Sequence, residues 1–264
     1  MTNFTKFDEQ DLALAVDLLE HPSFAAKVTN LIGGRVEKAI TMLPDGFSDK
    51  LLTTTQKALT KALDLAVSSL DERYRGEPAN RAHRALSIVS GGIGGAFGLM
   101  ALTVELPIST TLMLRSIADI ARSEGEPIAE VQSKLACLEV FAMGGTSKAD
   151  DGADTGYFAV RAALGGAMTE AGKYLLEHGL AGSGAPALLR FLSKIASRYS
   201  LQVSEKAAAQ AIPLLGAAGG ATINLLFMDH FQCMARGHFI VRRLERIHGK
   251  EPVREAYRHL AARN

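Results

Sequence analysis

ALSIVSGGIGGAFGLMALTVELPISTTLMLRSIADIAR, residues Ala85 to Arg122, sets the terms on which the rest of the chain is read. Gly91, Gly92, Gly94, Gly95 and Gly98 crowd its first half, and no residue from Ala85 to Val104 is charged. That uncharged run has the length of a bilayer crossing. Glu105 closes it, Pro107 follows, and a second apolar stretch ends in Arg115 and Asp119. Residues Ala207 to Met228, AAAQAIPLLGAAGGATINLLFM, have the same character and run into Asp229 and His230. Set one above the other, Gly91, Gly94 and Gly95 fall on Gly216, Gly219 and Gly220, and Glu105 falls on His230. Small residues four apart let helix backbones approach closely. Each such glycine costs about 0.8–1 kcal/mol of helix propensity against alanine, so a packing partner is expected to offset it. The two segments are therefore expected to be helices crossing at faces made by Gly91, Gly94, Gly95 and Gly98 on one and Gly216, Gly219 and Gly220 on the other.

Aromatic residues make up only 6% of the chain, Trp is absent and Gly numbers 25, which favours closely packed helices over a sandwich or barrel. No sustained apolar alternation and no Asn-Gly hairpin between β-branched runs is present. The expected fold is all-α, a single bundle of about ten helices. A formal charge of +1 gives no global attraction to nucleic acid, which is not expected as a partner, and leaves attraction to anionic lipid to local patches. Cys137 and Cys233 lie inside apolar helical patterns and read as buried thiols of a reducing compartment. The first residues, MTNFTKFDEQDLALAV, carry acids where a signal peptide has its basic and apolar regions, so a cytoplasmic location is expected.

In chain order, Asp8 to Glu20 has an acidic start and a Leu/Val stripe at helical spacing. Phe24, Val28, Ile32, Val36 and Ile40 predict a second helix, interrupted by Gly33 and Gly34. Asp45-Gly46 is a turn, Ser48 a cap, and Leu51 to Leu70 a helix with a threonine face. Residues 1–47 read as an N-terminal helical extension and 48–264 as the main helical domain, together one continuous unit. Glu72 to Arg84 is a charged linker or a basic collar for lipid headgroups. Gly125-Glu126-Pro127 separates two helices, the second running from Ile128 to Met143 with Val131, Leu135, Leu138 and Phe141 buried. The loop Gly144 to Gly156 has Asp150, Asp151 and Asp154 but lacks the order of a calcium loop, so no metal is expected there. Helices follow over Tyr157–His178, with a Gly165-Gly166 pair, over Leu188–Leu201 and over Ile223–Ile247. Gly249 stops the last of these, and a basic helix, Glu251 to Ala262, closes the chain.

Catalytic templates are missing: no HExxH, no GxSxG and no phosphate loop, and no cofactor is implied. What remains is a polar set in apolar surroundings, Glu105, Arg115, Asp119, Asn224, Asp229, His230, Arg236 and His238. Arg115 and Asp119 share a helical face and can pair. If the glycine helices cross, Glu105 approaches Asp229 or His230. Three readings of the set stay open. It fixes helix register as a buried network, it lines a ligand pocket formed by Glu105, Arg115, Asp119, Asn224, Asp229, His230 and Arg236, or it makes a hydrolytic site with Glu105, Asp229 and His230 as catalytic candidates.

Several of these blocks also resemble a known family. Gly91–Gly98 with Glu105-Leu106-Pro107, Leu114 through Ala121, Val140-Phe141-Ala142, Tyr157–Arg161 and Ile212 through Gly216 leading to Asn224, Asp229 and Ala235-Arg236 are similar to the EcsC family. The likeness spans roughly residues 60 to 250 and leaves out the helices of Asp8–Thr41. The resemblance implies association with the membrane envelope, beside a bacterial ABC exporter linked to secretion, and brings no catalytic residues. Whether the glycine segments are buried core or membrane-inserted stays open. Arg236 to Arg246, RGHFIVRRLER, suits peripheral attachment in either case. The leading expectation is a membrane-associated, non-enzymatic accessory protein that binds lipid or an apolar peptide, with a transporter or other membrane protein as partner. The alternatives are the hydrolase and a homo-oligomeric scaffold.

Overall fold

A computed structural model describes residues 4–20, 46–69, 102–144, 156–179, 185–210 and 216–263. Eight α-helices are formed by these residues: α1 (Lys6–Glu20), α2 (Phe47–Ser69), α3 (Leu102–Ser123), α4 (Val131–Glu139), α5 (Gly156–His178), α6 (Pro186–Gln210), α7 (Gly216–His248) and α8 (Lys250–Ala261). A 3-10 turn, Val140–Ala142, continues α4. Among the described residues there is no strand, as the lack of alternation predicted. The Phe24–Ile40 helix, the Glu72–Arg84 segment, Gly91 through Gly98 and the acidic loop after Gly144 lie outside the described residues. The crossing expected between the two glycine faces therefore falls outside them too, although Gly216, Gly219 and Gly220 do open α7.

Local chemistry explains where the helices begin and end. Thr5 and Asp8 cap α1 reciprocally: the Thr5 amide donates to Asp8 Oδ2 at 2.9 Å, and the Asp8 amide to Thr5 Oγ1 at 3.2 Å. α2 starts at Phe47, so Ser48 is inside the helix, and the Gly46 carbonyl accepts its first turn from Lys50. Its threonine face closes on itself, with Thr53, Thr54 and Thr60 donating to the carbonyls of Asp49, Lys50 and Gln56. Pro186 takes the first position of α6, where a missing N–H costs nothing. Gly249, with φ +88°, turns the chain from α7 into α8.

α7 is the longest helix and the axis of packing, against α1, α3, α6 and α8. α2 packs on α3 and α6, and α5 on α6. The scarce aromatics are concentrated at the centre. Phe141 lies 5.0 Å from Tyr199 and 5.3 Å from Phe231, and Phe231 lies 5.1 Å from Phe227, between ring centroids. Close helix approach occurs where α1 meets α7. A Cβ on Gly237 would stand 2.6 Å from Leu19 Cγ and 3.2 Å from the Ala15 carbonyl oxygen. Asp11 and Arg243, paired at 2.7 Å, and Asp8 and His248, at 3.2 Å, fasten the same two helices at their surface.

Among the described residues, no helix is long and apolar enough to cross a membrane. The Ala207–Met228 run is shared between the end of α6 and the start of α7. The uncharged run before Glu105 is described only from Leu102. Neither cysteine is in a disulfide; Cys137 is buried and Cys233 half-buried. Burial pushes the Cys137 thiol up to about 12, which leaves it inert.

Candidate functional site

Two buried polar assemblies are built on this frame. The first joins α3, α6 and α7 around Glu105. Its Oε1 accepts from Lys206 Nζ at 2.6 Å and from Asn224 Nδ2 at 2.8 Å. Lys206 has no solvent exposure, and its ammonium sits 4.9 Å from the Phe227 ring centroid. Burial pushes the Lys206 amine down while Glu105 acts against that. The Thr110 and Tyr199 hydroxyls bond to each other at 3.0 Å nearby. Burial, with Glu105 adding to it, keeps the Tyr199 phenol protonated. Three helices are thus tied through one carboxylate.

The remaining members of the expected set disperse. Asn224 precedes His230 by six residues, about 9 Å along a helix, so the turn of α7 that meets Glu105 is not the turn that carries His230. The His230 ring is buried against Gly144, whose φ of +76° excludes a side chain there in any case; an added Cβ would lie 2.4 Å from His230 Cε1. Asp229 is half-buried, and Arg115 and Arg236 are exposed. Asp119 is held by Arg122 at 2.7 Å. Among the described residues no group of three or more His, Cys, Asp or Glu is placed to hold a metal ion.

The second assembly surrounds a cleft of about 350 Å³ between α4, α5, α7 and α8. Arg161, Arg242, Lys250 and Arg254 line it together with Phe158, Met168 and the carboxyls of Glu139, Glu245 and Glu251. Arg161 forks onto Glu245 at 2.7 and 2.9 Å. Its guanidinium also stands 5.7 Å from the Phe158 ring, which Arg254 faces at 5.6 Å. Arg242 forks onto Glu126 at 2.9 and 3.1 Å, and Arg246 and Ser133 bond the same carboxylate. Burial works against ionised Glu126, but Arg242 and Arg246 outweigh it and hold the carboxyl below its ordinary value.

Behind the cleft wall, the Tyr157 hydroxyl lies 2.9 Å from His238 Nδ1, and His238 Nε2 lies 3.7 Å from Glu139 Oε2. Burial, with Arg161 and Arg242 close by, holds the imidazole well below its usual range, so it is neutral. If the phenol donates to Nδ1, the ring's single N–H is on Nε2 and faces Glu139; if it accepts, Nε2 turns a lone pair to that side. Burial pushes Glu139 up to about 7 despite Arg161 and Arg242. Gly165 also lines the cleft, and a Cβ there would meet open space.

The model of the EcsC protein family matches residues 17–244. The chain belongs to the EcsC family. No curated protein and no solved structure matches this EcsC chain. The match begins within α1, earlier than the blocks by which the family was recognised. Of the residues around the cleft, Tyr157, Phe158 and Arg161 stand in those blocks, and Arg242 in the basic Arg236–Arg246 segment. Glu139 and Lys206 stand in no motif of the sequence. Glu139 did carry a signal: it stands four residues after Leu135, on the face that periodicity marks as buried.

Proposed function

We propose that this EcsC protein is a membrane-associated binding protein without a reaction of its own, which takes the phosphate-bearing headgroup of an amphiphile into the α5–α7–α8 cleft. The observation that carries the reading is the lining: Lys250 and Arg254 bring positive charge beside Phe158 and Met168, in a wall shared with Arg161 and Arg242, which are forked onto Glu245 and Glu126. Guanidinium forks suit phosphate oxygens, and an aromatic and thioether wall suits the first methylenes of a chain. Exposed apolar side chains near the junction of α7 and α8 support a membrane surface as its setting. Ile247, 61% exposed, precedes Lys250 by three residues, and Phe7, 79% exposed, is brought beside the end of α7 by the Asp8–His248 bond. A place beside a transport or secretion system rests on the family resemblance. The Glu105 assembly supports catalysis less well, because Lys206 and Asn224 both hold its Oε1 in the core and His230 lies farther along α7.

Sedimentation with vesicles of mixed phosphatidylethanolamine and phosphatidylglycerol tests the reading. The wild-type protein is expected to pellet with them, and Gly165→Phe, which fills the cleft from an open position, is expected to pellet several-fold less. Ile247→Ser with Phe7→Ser is expected to weaken binding independently of the cleft. Protein left in the supernatant with every vesicle, or a Gly165→Phe protein that binds as well as wild type, overturns it.

A further inference from the structure

Among the described residues the buried acids are held unequally. Glu105 is held by Lys206 and Asn224, Glu126 by Arg242, Arg246 and Ser133, and Glu245 by both arms of Arg161. Glu139 is 3% exposed, and no hydrogen bond to its carboxyl is found among the described residues. His238 Nε2 stands 3.7 Å from Glu139 Oε2, beyond hydrogen-bond reach. A buried carboxyl without donors is costly and uncommon. This one lines the cleft.

Two of the cations that act on Glu139 are committed to other carboxylates. Both arms of Arg161 are on Glu245, and Nε and Nη2 of Arg242 are on Glu126. The Tyr157 hydroxyl is on His238. From α8, Lys250, Glu251 and Arg254 line the cleft, and from α4, Gln132 does.

We infer that Glu139 selects the headgroup, and that the group it accepts is a primary ammonium carried next to a phosphate, as in phosphoethanolamine. This rests on the headgroup reading above. A primary ammonium brings N–H donors and a further positive charge to an acid whose carboxyl has no hydrogen bond among the described residues, while the phosphate meets Lys250 and Arg254. A quaternary ammonium has the charge but no donor, and a glycerol phosphate has hydroxyl donors without the charge. The three headgroups are therefore separable by one side chain. The ligand's source is either a bilayer lipid or a free phosphomonoester, and the chemistry at Glu139 is the same for both.

The test is titration calorimetry of the full chain with O-phosphoethanolamine, phosphocholine and glycerol 3-phosphate, paralleled by vesicles of phosphatidylethanolamine or phosphatidylcholine. O-phosphoethanolamine is expected to bind about tenfold more tightly than either other probe, a difference of the size one charge-assisted hydrogen bond gives. Glu139→Gln is expected to abolish that preference and leave phosphate binding in place. Selectivity for phosphatidylethanolamine vesicles without binding of soluble O-phosphoethanolamine assigns the ligand to the bilayer; binding of both admits the free ester. Phosphate probes that bind alike, or a Glu139→Gln protein that keeps the preference, overturn the role of Glu139 and leave the headgroup reading standing. No binding of any probe or vesicle overturns both. If Glu139→Gln fails to fold, the wild-type ranking of the probes still decides.

Discussion

Glu105 and Glu139 are almost equally hidden, at 5% and 3% exposure, and the fold treats them in opposite ways. Around Glu105 the chain supplies an ammonium and an amide from two other helices. Around Glu139 it supplies an imidazole too far away to bond and two arginines engaged elsewhere. A carboxylate with its own cation is part of the scaffold, because removing either partner leaves a charge in a medium that cannot solvate it. A carboxyl left short of donors at the wall of a cleft is available to something that is not the protein.

The largest expected effect is on the Glu105 side. Lys206→Met leaves that carboxylate uncompensated and is expected to lower unfolding free energy by about 3–5 kcal/mol in urea titration. Glu105→Gln with Lys206→Met is expected to regain most of the loss, since the glutamine amide oxygen still accepts from Asn224. A double variant no more stable than the single one would break the contrast, by showing that the ion pair is not what the region depends on.

Glu139 is expected to show itself through pH. Its carboxyl goes from an ordinary 4.5 to about 7 in the fold, so between those values the native state keeps a proton that the unfolded state has released. Stability is then complete below the lower value and falls as pH rises through the upper one, by about 3 kcal/mol. Glu139→Gln is expected to remove that slope and to be the more stable protein at pH 8, read from denaturant midpoints across the range. Glu205, pushed up to about 7 by burial, adds a slope of the same sign to both proteins, so the readout is the difference between the two curves. Identical curves would mean that Glu139 already has a donor.

Smaller effects sharpen the comparison. Tyr199→Phe leaves the Thr110 hydroxyl without its partner beside Glu105 and is expected to cost about 1–2 kcal/mol. On α5, Gly166 is exposed and an added Cβ would touch nothing, so Gly166→Ala is expected to raise stability by about 0.8–1 kcal/mol through helix propensity. A loss there, in a thermal melt, would reveal a neighbour outside the described residues.

The helical class was legible because periodicity is a local property, and α1, α5 and α8 begin and end within a few residues of where it placed them. Glu105 and Asn224 were legible as polar residues interrupting apolar runs. Lys206 was not, since SEKAAAQ reads as the polar edge of a helix turn, and which way a long side chain folds depends on a carboxylate 101 residues earlier. Glu126 looked like punctuation between Gly125 and Pro127, yet it anchors Arg242 and Arg246. Glycine was the least transferable signal. The Gly165-Gly166 pair meets nothing, whereas the solitary Gly237 takes the tightest contact of α1, because close approach is decided by the facing helix.

That contact also orders events in time. Asp11 and Arg243 are 232 residues apart, and Leu12, Ala15, Val16 and Leu19 find their shelter on the same distant helix. At roughly 5–20 residues per second, a ribosome takes on the order of ten to fifty seconds to deliver α7 after α1 has emerged. For that interval the first helix is a greasy strip without a home, and a nascent chain stalled short of Gly237 displays it to whatever chaperone or bilayer is nearest.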